Sequence, residues 1–425
     1  MTESLENKIR RITEPAYYRF YLIPRARHHQ RLALQRIQKS GKARLCFIVS
    51  SLPMWRFQLL LDLLRLDSRF DVTIAVFPFT NFSQSARNTS AYEIVSYFES
   101  LGISCLNLCD EPAPGKVLKE TANPDILFYP QPYNHLFCND LDCFDFDDKL
   151  ICYVPYAALT ARDDWAYRSY LNDIAWRLFY PSEARKQEAS RVLYNKGENI
   201  CIVGEAISDL FSTPIVSDPW AKQGTTKKRV IWAPHYSIKE TGMLHRDSFT
   251  WLSRCMWDIA VRYEDRIQFA FKPHPRLLSE LYSLEGWGKE KADAYYEKWA
   301  EGSNTQLITG SYVELFKGSD AMIHDCGSFS VEYHFTGKPV MFTTQDINAA
   351  IANQNELGRD GILAHYLGSS ESDIVGFIEN TVLAGKDPMK TVREEYYQKY
   401  LRPPGDQSVA ANIYNEILTG LGFSR

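Results

Sequence analysis

From Arg44 onward, short apolar runs rich in β-branched and aromatic residues alternate with amphipathic stretches, in two successive series. RLCFIVSS (Arg44–Ser51) reads as a buried strand and Pro53–Leu66 as an amphipathic helix. DVTIAVFPF reads as a second strand and Ala91–Leu101 as a second helix. ISCLNL, DILFYPQ and LICYVPY add strands, and LFYPS leads into a helix over Glu183–Tyr194. The second series begins at RVIWAPH (Arg229–His235) and continues through a helix near Ser248–Tyr263 and the strand RIQFAFKPH. QLITG, a short helix at Tyr312–Lys317, DAMIHD, a helix from Ser328 and KPVMFTT follow, with late helices at Ser372–Leu383 and Ser408–Leu421. Strands separated by helices pair in parallel and carry helices on both faces. The expected fold class is therefore α/β, with two doubly wound Rossmann-like lobes and a ligand cleft between them. Expected boundaries are a basic N-terminal arm at 1–43, a first lobe at 44–204, a Pro/Ser/Gly/Lys-rich linker at 205–228 and a second lobe at 229–425.

A chain of 425 residues supports two such cores, and 45% hydrophobic with 24% charged residues excludes both disorder and a membrane-spanning protein. The start lacks the apolar run of a secretory signal, which predicts a cytoplasmic location. Cys46, Cys152 and Cys201 lie inside strand-like runs, as reduced, buried cysteines do. Cys105/Cys109 and Cys138/Cys143 lack the second pair that a zinc site needs, so no metal is expected. Asp140–Asp148 lacks the Gly and final Glu of a calcium loop and reads as a solvated acidic segment. There is no Walker loop, Gly-x-Gly-x-x-Gly fingerprint or Gly-x-Ser-x-Gly elbow, which argues against an ATPase, a dinucleotide oxidoreductase or a serine hydrolase.

Charge is uneven. Residues 1–44 hold eleven Lys/Arg against three Asp/Glu, and the net charge of −4 makes the remainder acidic. The arm mixes Arg10, Arg11, Arg19, Arg25, Arg27 and Arg31 with Tyr17, Tyr18, Phe20 and Tyr21. That mixture suits an anionic membrane surface, and the acidic body argues against nucleic acid. The alternative is a helix packed on the body with a solvated basic face.

The sharpest chemical signal is IHDCGSFSVEY (Ile323–Tyr333), a strand followed by a tight Cys-Gly turn and a helix start. A helix N-terminus at the carboxyl end of a strand suits phosphate, and Gly327 permits close backbone approach. Ser328 either adds a hydroxyl or caps the helix, Ser330 offers a second hydroxyl, and Glu332 is placed to take ribose hydroxyls. His324 and Asp325 point to opposite faces of the strand, and Asp325 is expected to face the ligand. In FKPHP, Lys272 and His274 end a strand, where His274 is read as an acid/base, a cation opposing a diphosphate, or a structural histidine. His235 is read as a phosphate or acceptor ligand, or as structural.

These segments together resemble the CDP-glycerol glycerophosphotransferase family, the teichoic acid primases and polymerases. The family's segment reads Ile-Thr/Ser-Asp-Tyr-Ser-Ser, an apolar stretch, Asp-Tyr, then a strand with Arg/Lys-Pro-Ile. Asp325, Ser328, Glu332 and Lys338-Pro339 fall on its Asp, second Ser, later acidic residue and basic-Pro pair, and Gly327 replaces its first Ser. WAPHYS (Trp232–Ser237), FKPHP (Phe271–Pro275) and PPGDQSVAANIYNEI resemble three further family segments. The resemblance implies a GT-B fold and transfer of glycerol phosphate or ribitol phosphate from CDP-glycerol or CDP-ribitol. It implies a lipid-linked or oligosaccharide acceptor and a peripheral position on the inner face of the cell membrane. No cofactor is required. Lys272, His274, His235 and the amides of Gly327, Ser328 and Phe329 would meet the diphosphate. The family's Trp-His-Gly-Thr-Pro, whose His is its general base, has no counterpart in CYVPYAAL (Cys152–Leu159), which leaves His135 in PQPYNH as the candidate. Two alternatives remain: a nucleotide-sugar-dependent glycosyltransferase on the same fold, and a non-catalytic nucleotide-binding protein at the membrane.

Overall fold

The computed structural model describes residues 13–133, 140–162, 167–215, 217–238 and 248–424. Two compact units emerge. The first comprises Met1–Ala157, Asp163–Asp209 and Pro403–Arg425; the second comprises Ala158–Arg162 and Leu210–Arg402.

The first unit holds β1 (Ala43–Val49), β2 (Phe70–Val76), β3 (Cys105–Asn107), β4 (Ile126–Tyr129), β5 (Leu150–Tyr153), β6 (Arg177–Tyr180) and β7 (Ile200–Ile202). They pair in parallel in the order β3-β2-β1-β4-β5-β6-β7. The second unit holds β8 (Lys228–Ala233), β9 (Ile267–Phe271), β10 (Thr305–Leu307), β11 (Ala321–His324), β12 (Val340–Thr343) and β13 (Tyr366–Gly368), parallel in the order β10-β9-β8-β11-β12-β13. Strand order reverses between β1 and β4 in one sheet and between β8 and β11 in the other. At such a reversal the connections diverge to opposite sides and leave a crevice at the strands' carboxyl ends. The segments singled out in the sequence, WAPHYS and IHDCGSFSVEY, leave β8 and β11 at the second of these points.

Near-continuous apolar strands dictate sheets buried on both faces. In the second unit Trp232 is fully buried, stacks on Phe271 at 4.9 Å and on Phe249 at 5.8 Å, and packs with Trp299 at 5.3 Å. In the first, Phe47, Trp55, Phe57 and Phe128 share one core with Val409, Ile413, Ile417 and Leu421 of the Val409–Leu421 helix. Ser408 caps that helix by accepting from the Ala411 amide, and Asp209 accepts from the amides of Val409 and Ala410 at 2.8 and 2.7 Å. A carboxylate there satisfies orphan donors and complements the helix dipole. Gly422, at φ 73°, ends the helix in a left-handed turn that a side chain would strain.

These packings move the domain boundaries from those expected. The second lobe does not run to residue 425, because the apolar stripe of the last helix belongs to the first unit's core. Residues 158–162 join the second unit through bonds from the Asn355 amide to the Thr160 carbonyl and from the Arg162 amide to the Asn353 carbonyl, each 2.8 Å. The expected linker is largely built in: Trp220 is buried and its indole donates to the Leu315 carbonyl at 3.2 Å.

The arm is likewise not a separate element over its described part. The helical run passes through a π-turn at Tyr18–Leu22 just before Pro24, whose missing amide proton breaks the regular ladder, and the Ile23–Ser40 helix stops at Gly41, in the left-handed conformation. Ile23, Ala26, Ala33 and Ile37 form its buried stripe. Arg25 pairs with Asp147 at 2.9 Å, Arg27 pairs with Glu198, and Gln30 donates to the Ile174 carbonyl at 2.8 Å. Asp147 lies in the segment expected to be merely solvated. Tyr17, Phe20, Tyr21 and Leu32 stay exposed, as do Arg19 and Arg31. Arg10 and Arg11 lie outside the described residues. No described helix is long and apolar enough to cross a membrane.

Candidate functional site

At the reversal point of the second sheet, three chain segments meet: the exits of β8, β9 and β11. The exit of β11 is organised by Asp325. Its carboxylate is fully buried and accepts from the His235 amide at 2.6 Å, the Ser248 amide at 3.2 Å and the Ser248 hydroxyl at 2.7 Å. These donors satisfy the buried carboxylate and fix the β8 exit to the β11 exit. Against the expectation that Asp325 faces a ligand, its side chain is buried and ties these two exits together. Ser248, seventy-seven residues away, was invisible to local pattern.

The turn that follows presents donors. Among the described residues, the amides of Gly327, Ser328 and Phe329 have no acceptor, whereas the Ser330 amide bonds back to the Cys326 carbonyl. Ser328 makes no capping bond and its side chain is half-buried, so its hydroxyl is available. Ser330 is not: it is buried and donates to the Gly327 carbonyl at 2.5 Å. The helix expected from Ser328 is a single α-turn, Phe329–Glu332, continued as a 3-10 turn over Tyr333–Thr336. Its dipole is correspondingly short, and the local amides carry the anion-binding capacity. The Phe329 ring packs against Tyr312, Phe316 and His324, so only its backbone points to a ligand role. Glu332 is 2% exposed and accepts from the Tyr312 hydroxyl at 2.6 Å. A carboxylate buried in that way holds the segment after β10 and does not present itself to ribose. Lys338 likewise serves backbone, donating to the carbonyls of Phe316, Lys317 and Ser319.

The β9 exit supplies charge. Lys272 is 5% exposed, and among the described residues no carboxylate or carbonyl pairs with its ammonium. Burial lowers its pKa, with the neighbouring Cys326 sulfur acting in the other direction. An ammonium on a largely buried stem, with no counter-charge among the described residues, suits an anion. His274 is half-buried, and its pKa falls to about 4 through burial, then through Arg276 and Lys272. Its Nδ1 accepts from the Arg276 amide at 3.1 Å, so the neutral ring carries its proton on Nε2. His235 is set the same way, with Nδ1 accepting from the Ser237 amide at 3.3 Å and lying 2.8 Å from the Ser237 hydroxyl. The two rings lie 5.0 Å apart, with Tyr236 against both. Before a ligand arrives, His274 is thus a neutral Nε2–H donor. The cationic reading of it needs a bound anion to raise its pKa.

The structure therefore brings together Lys272, His274, His235, Asp325 and Gly327–Ser328, and sets Ser330 and Glu332 aside as buried supports. His135 lies outside the described residues. Tyr153 and Tyr156 do not replace it, since burial raises the pKa of both, that of Tyr153 well above its ordinary value. Among the described residues no cluster of His, Cys, Asp and Glu could hold a metal ion.

No protein-family model matches the chain, and no curated protein matches it in sequence. Solved structures do match. UDP-GlcNAc 2-epimerase from Neisseria meningitidis bound to UDP-GlcNAc aligns with a TM-score of 0.53 at 14% identity, over 88% of this chain and 100% of that one. The Methanocaldococcus jannaschii UDP-GlcNAc 2-epimerase in complex with UDP-GlcNAc and UDP gives 0.55 at 16%, over 88% and 99%. A variant of the wall teichoic acid polymerase TagF gives 0.57 at 10% identity, over 99% of both chains. At these identities the likeness speaks for the fold, and with two parallel sheets, each built around a strand-order reversal, it identifies this chain as an α/β protein of the GT-B fold.

Proposed function

We propose that this protein is a transferase that moves glycerol phosphate or ribitol phosphate from a CDP-alditol to a lipid-linked or saccharide acceptor. The observation that carries the reading is the largely buried Lys272, whose ammonium has no partner among the described residues, at the same sheet crevice as the amides of Gly327–Phe329, which have no acceptor among them. Together with the Nε2–H groups of His235 and His274 they form a donor-rich, cationic surface that suits a diphosphate. The motif resemblance and the likeness to TagF in fold support the alditol-phosphate class.

In the reaction, an acceptor hydroxyl attacks the β-phosphorus of the donor and the bridging P–O bond breaks. CMP leaves with the bonding electrons, and the acceptor's proton is lost to a base or solvent. Phosphoryl transfer asks the protein mainly for placement and charge stabilisation. Lys272 and the turn amides neutralise charge on the diphosphate, Ser328 adds a hydroxyl bond, and His274 gains a proton as the bound anion raises its pKa. Tyr17, Phe20 and Tyr21, flanked by Arg19 and Arg31, supply a surface suited to anionic lipid, where a lipid-linked acceptor would be found.

A second reading is a nucleotide-sugar glycosyltransferase, favoured by the missing histidine in Cys152–Leu159. A donor panel of CDP-glycerol, CDP-ribitol and nucleotide sugars separates them. Release of CMP from a CDP-alditol is expected. Release of a nucleoside diphosphate from a sugar donor establishes the second reading, and nucleotide binding without turnover of any donor leaves a non-catalytic binding protein.

A further inference from the structure

The second unit buries three imidazoles that the proposed chemistry does not use. His324 ends β11, His334 lies in the Tyr333–Thr336 turn and His365 precedes β13, and all are buried. Imidazoles in an apolar core are tolerated when hydrogen-bonded. Here the bonds run in one direction. The Cys326 amide donates to His324 Nδ1 at 3.1 Å. That leaves the proton of His324 on Nε2, which lies 3.1 Å from His365 Nε2. His365 Nε2 must then accept, so its proton sits on Nδ1 and goes to the Gly361 carbonyl at 2.6 Å. An amide can only donate and a carbonyl can only accept, so both tautomers are dictated by the two ends of the chain.

Gly361 ties the far end to the same place. A side chain there would come within 2.6 Å of the Ser330 carbonyl and 2.9 Å of the Tyr396 hydroxyl. The Glu356–Leu363 helix can therefore lie against the Phe329–Glu332 turn only because residue 361 is glycine. The bonded chain thus begins at the first amide of the anion-facing turn and ends on a helix seated against its last residues.

We propose that His324 and His365 are positioning residues. They hold the Cys326 amide inward so that the next three amides, Gly327–Phe329, face a bound diphosphate. This rests on the proposed reading of that turn as the diphosphate site.

Two measurements test it. Hydrogen exchange at the Cys326 amide reports positioning whatever the ligand. Exchange is expected to quicken by about tenfold in His324→Leu, on the scale of one lost hydrogen bond, and to return in His324→Asn, whose carbonyl stands in for Nδ1. Calorimetric titration with CDP and UDP reports the consequence. Affinity should fall about tenfold in His365→Leu and recover in His365→Gln, whose carbonyl stands in for Nε2. Circular dichroism and melting identify variants that keep the fold. Should a leucine variant be misfolded, the exchange and nitrogen-15 shifts of the Asn and Gln variants and of the wild-type His324 ring decide. A wild-type His324 protonated at Nδ1, unchanged exchange in a folded His324→Leu, or Asn and Gln variants as impaired as the leucine ones would overturn the inference. If wild-type protein binds neither nucleotide, the functional reading falls, and the exchange data alone still judge the positioning.

Discussion

Lys272 concentrates the argument at the residue scale. Lys272 lies in a largely buried position with no counter-charge among the described residues, which disfavours its charged form and suits an anionic ligand. Lys272→Met keeps the stem and removes the charge. It should raise the melting temperature while weakening CDP binding by about a hundredfold, the scale of a charge-assisted bond to phosphate. Paired melting and calorimetry check this, and a variant that loses stability would show Lys272 to be structurally compensated. The histidines give a second expectation. Burial lowers His334 to about 3 and His274 to about 4 from an ordinary 6.5. Between the folded and unfolded values, the unfolded chain binds protons that the folded chain does not. Stability is therefore full above pH 6.5 and declines as pH falls toward those lowered values. Through His334 the loss at pH 4.5 should be about 2–3 kcal/mol. Urea unfolding at pH 7.5 and 4.5 measures it, and His334→Gln should remove that share. The places of Lys272, His274 and Gly327 at a strand end and a turn were legible because they follow from neighbours in sequence. The burial of Asp325 was not legible, because its partner Ser248 comes from elsewhere in the chain.

At the scale of elements, the strands were readable from apolar runs, and what escaped was where amphipathic helices dock. The Ile23–Ser40 helix carries an excess of basic residues, and composition alone could not say which arginines face the body. Arg25 and Arg27 are exposed but paired with Asp147 and Glu198, which offsets part of their charge. Among the described residues, the exposed set outside these ion pairs includes Phe20, 76% exposed, with Tyr17, Tyr21, Arg19 and Arg31. Replacing Tyr17, Phe20 and Tyr21 with Ser should leave the fold unchanged and release the protein from phosphatidylglycerol vesicles in a sedimentation assay. Arg25→Gln, which removes one exposed ion pair, should change both stability and sedimentation little. Vesicle binding that survives the triple replacement removes the membrane role of this surface.

At the scale of the molecule, two doubly wound units were legible because two series of strand–helix alternation stand apart in the sequence. Their true membership was not, because it depends on a stripe of aliphatics near residue 410 that matches a core laid down before residue 210. The second unit is nearly contiguous and has its own aromatic core around Trp232. A fragment spanning 210–402 should therefore melt cooperatively. A fragment ending at 209 should not, and adding the 403–425 segment should restore a transition. Cooperative melting of the 1–209 fragment alone would show the last helix to be an accessory.

The Asp209 contact has a consequence for how the protein is made. Its partner Val409 is 200 residues further along the chain. On the ribosome, the first sheet and its exposed apolar groove must wait while the whole second unit is translated. Only then does the helix that closes the groove emerge from the exit tunnel. A chain cut short before Val409 would lack the helix that completes this core, and rapid proteolysis of such a product is the expected outcome.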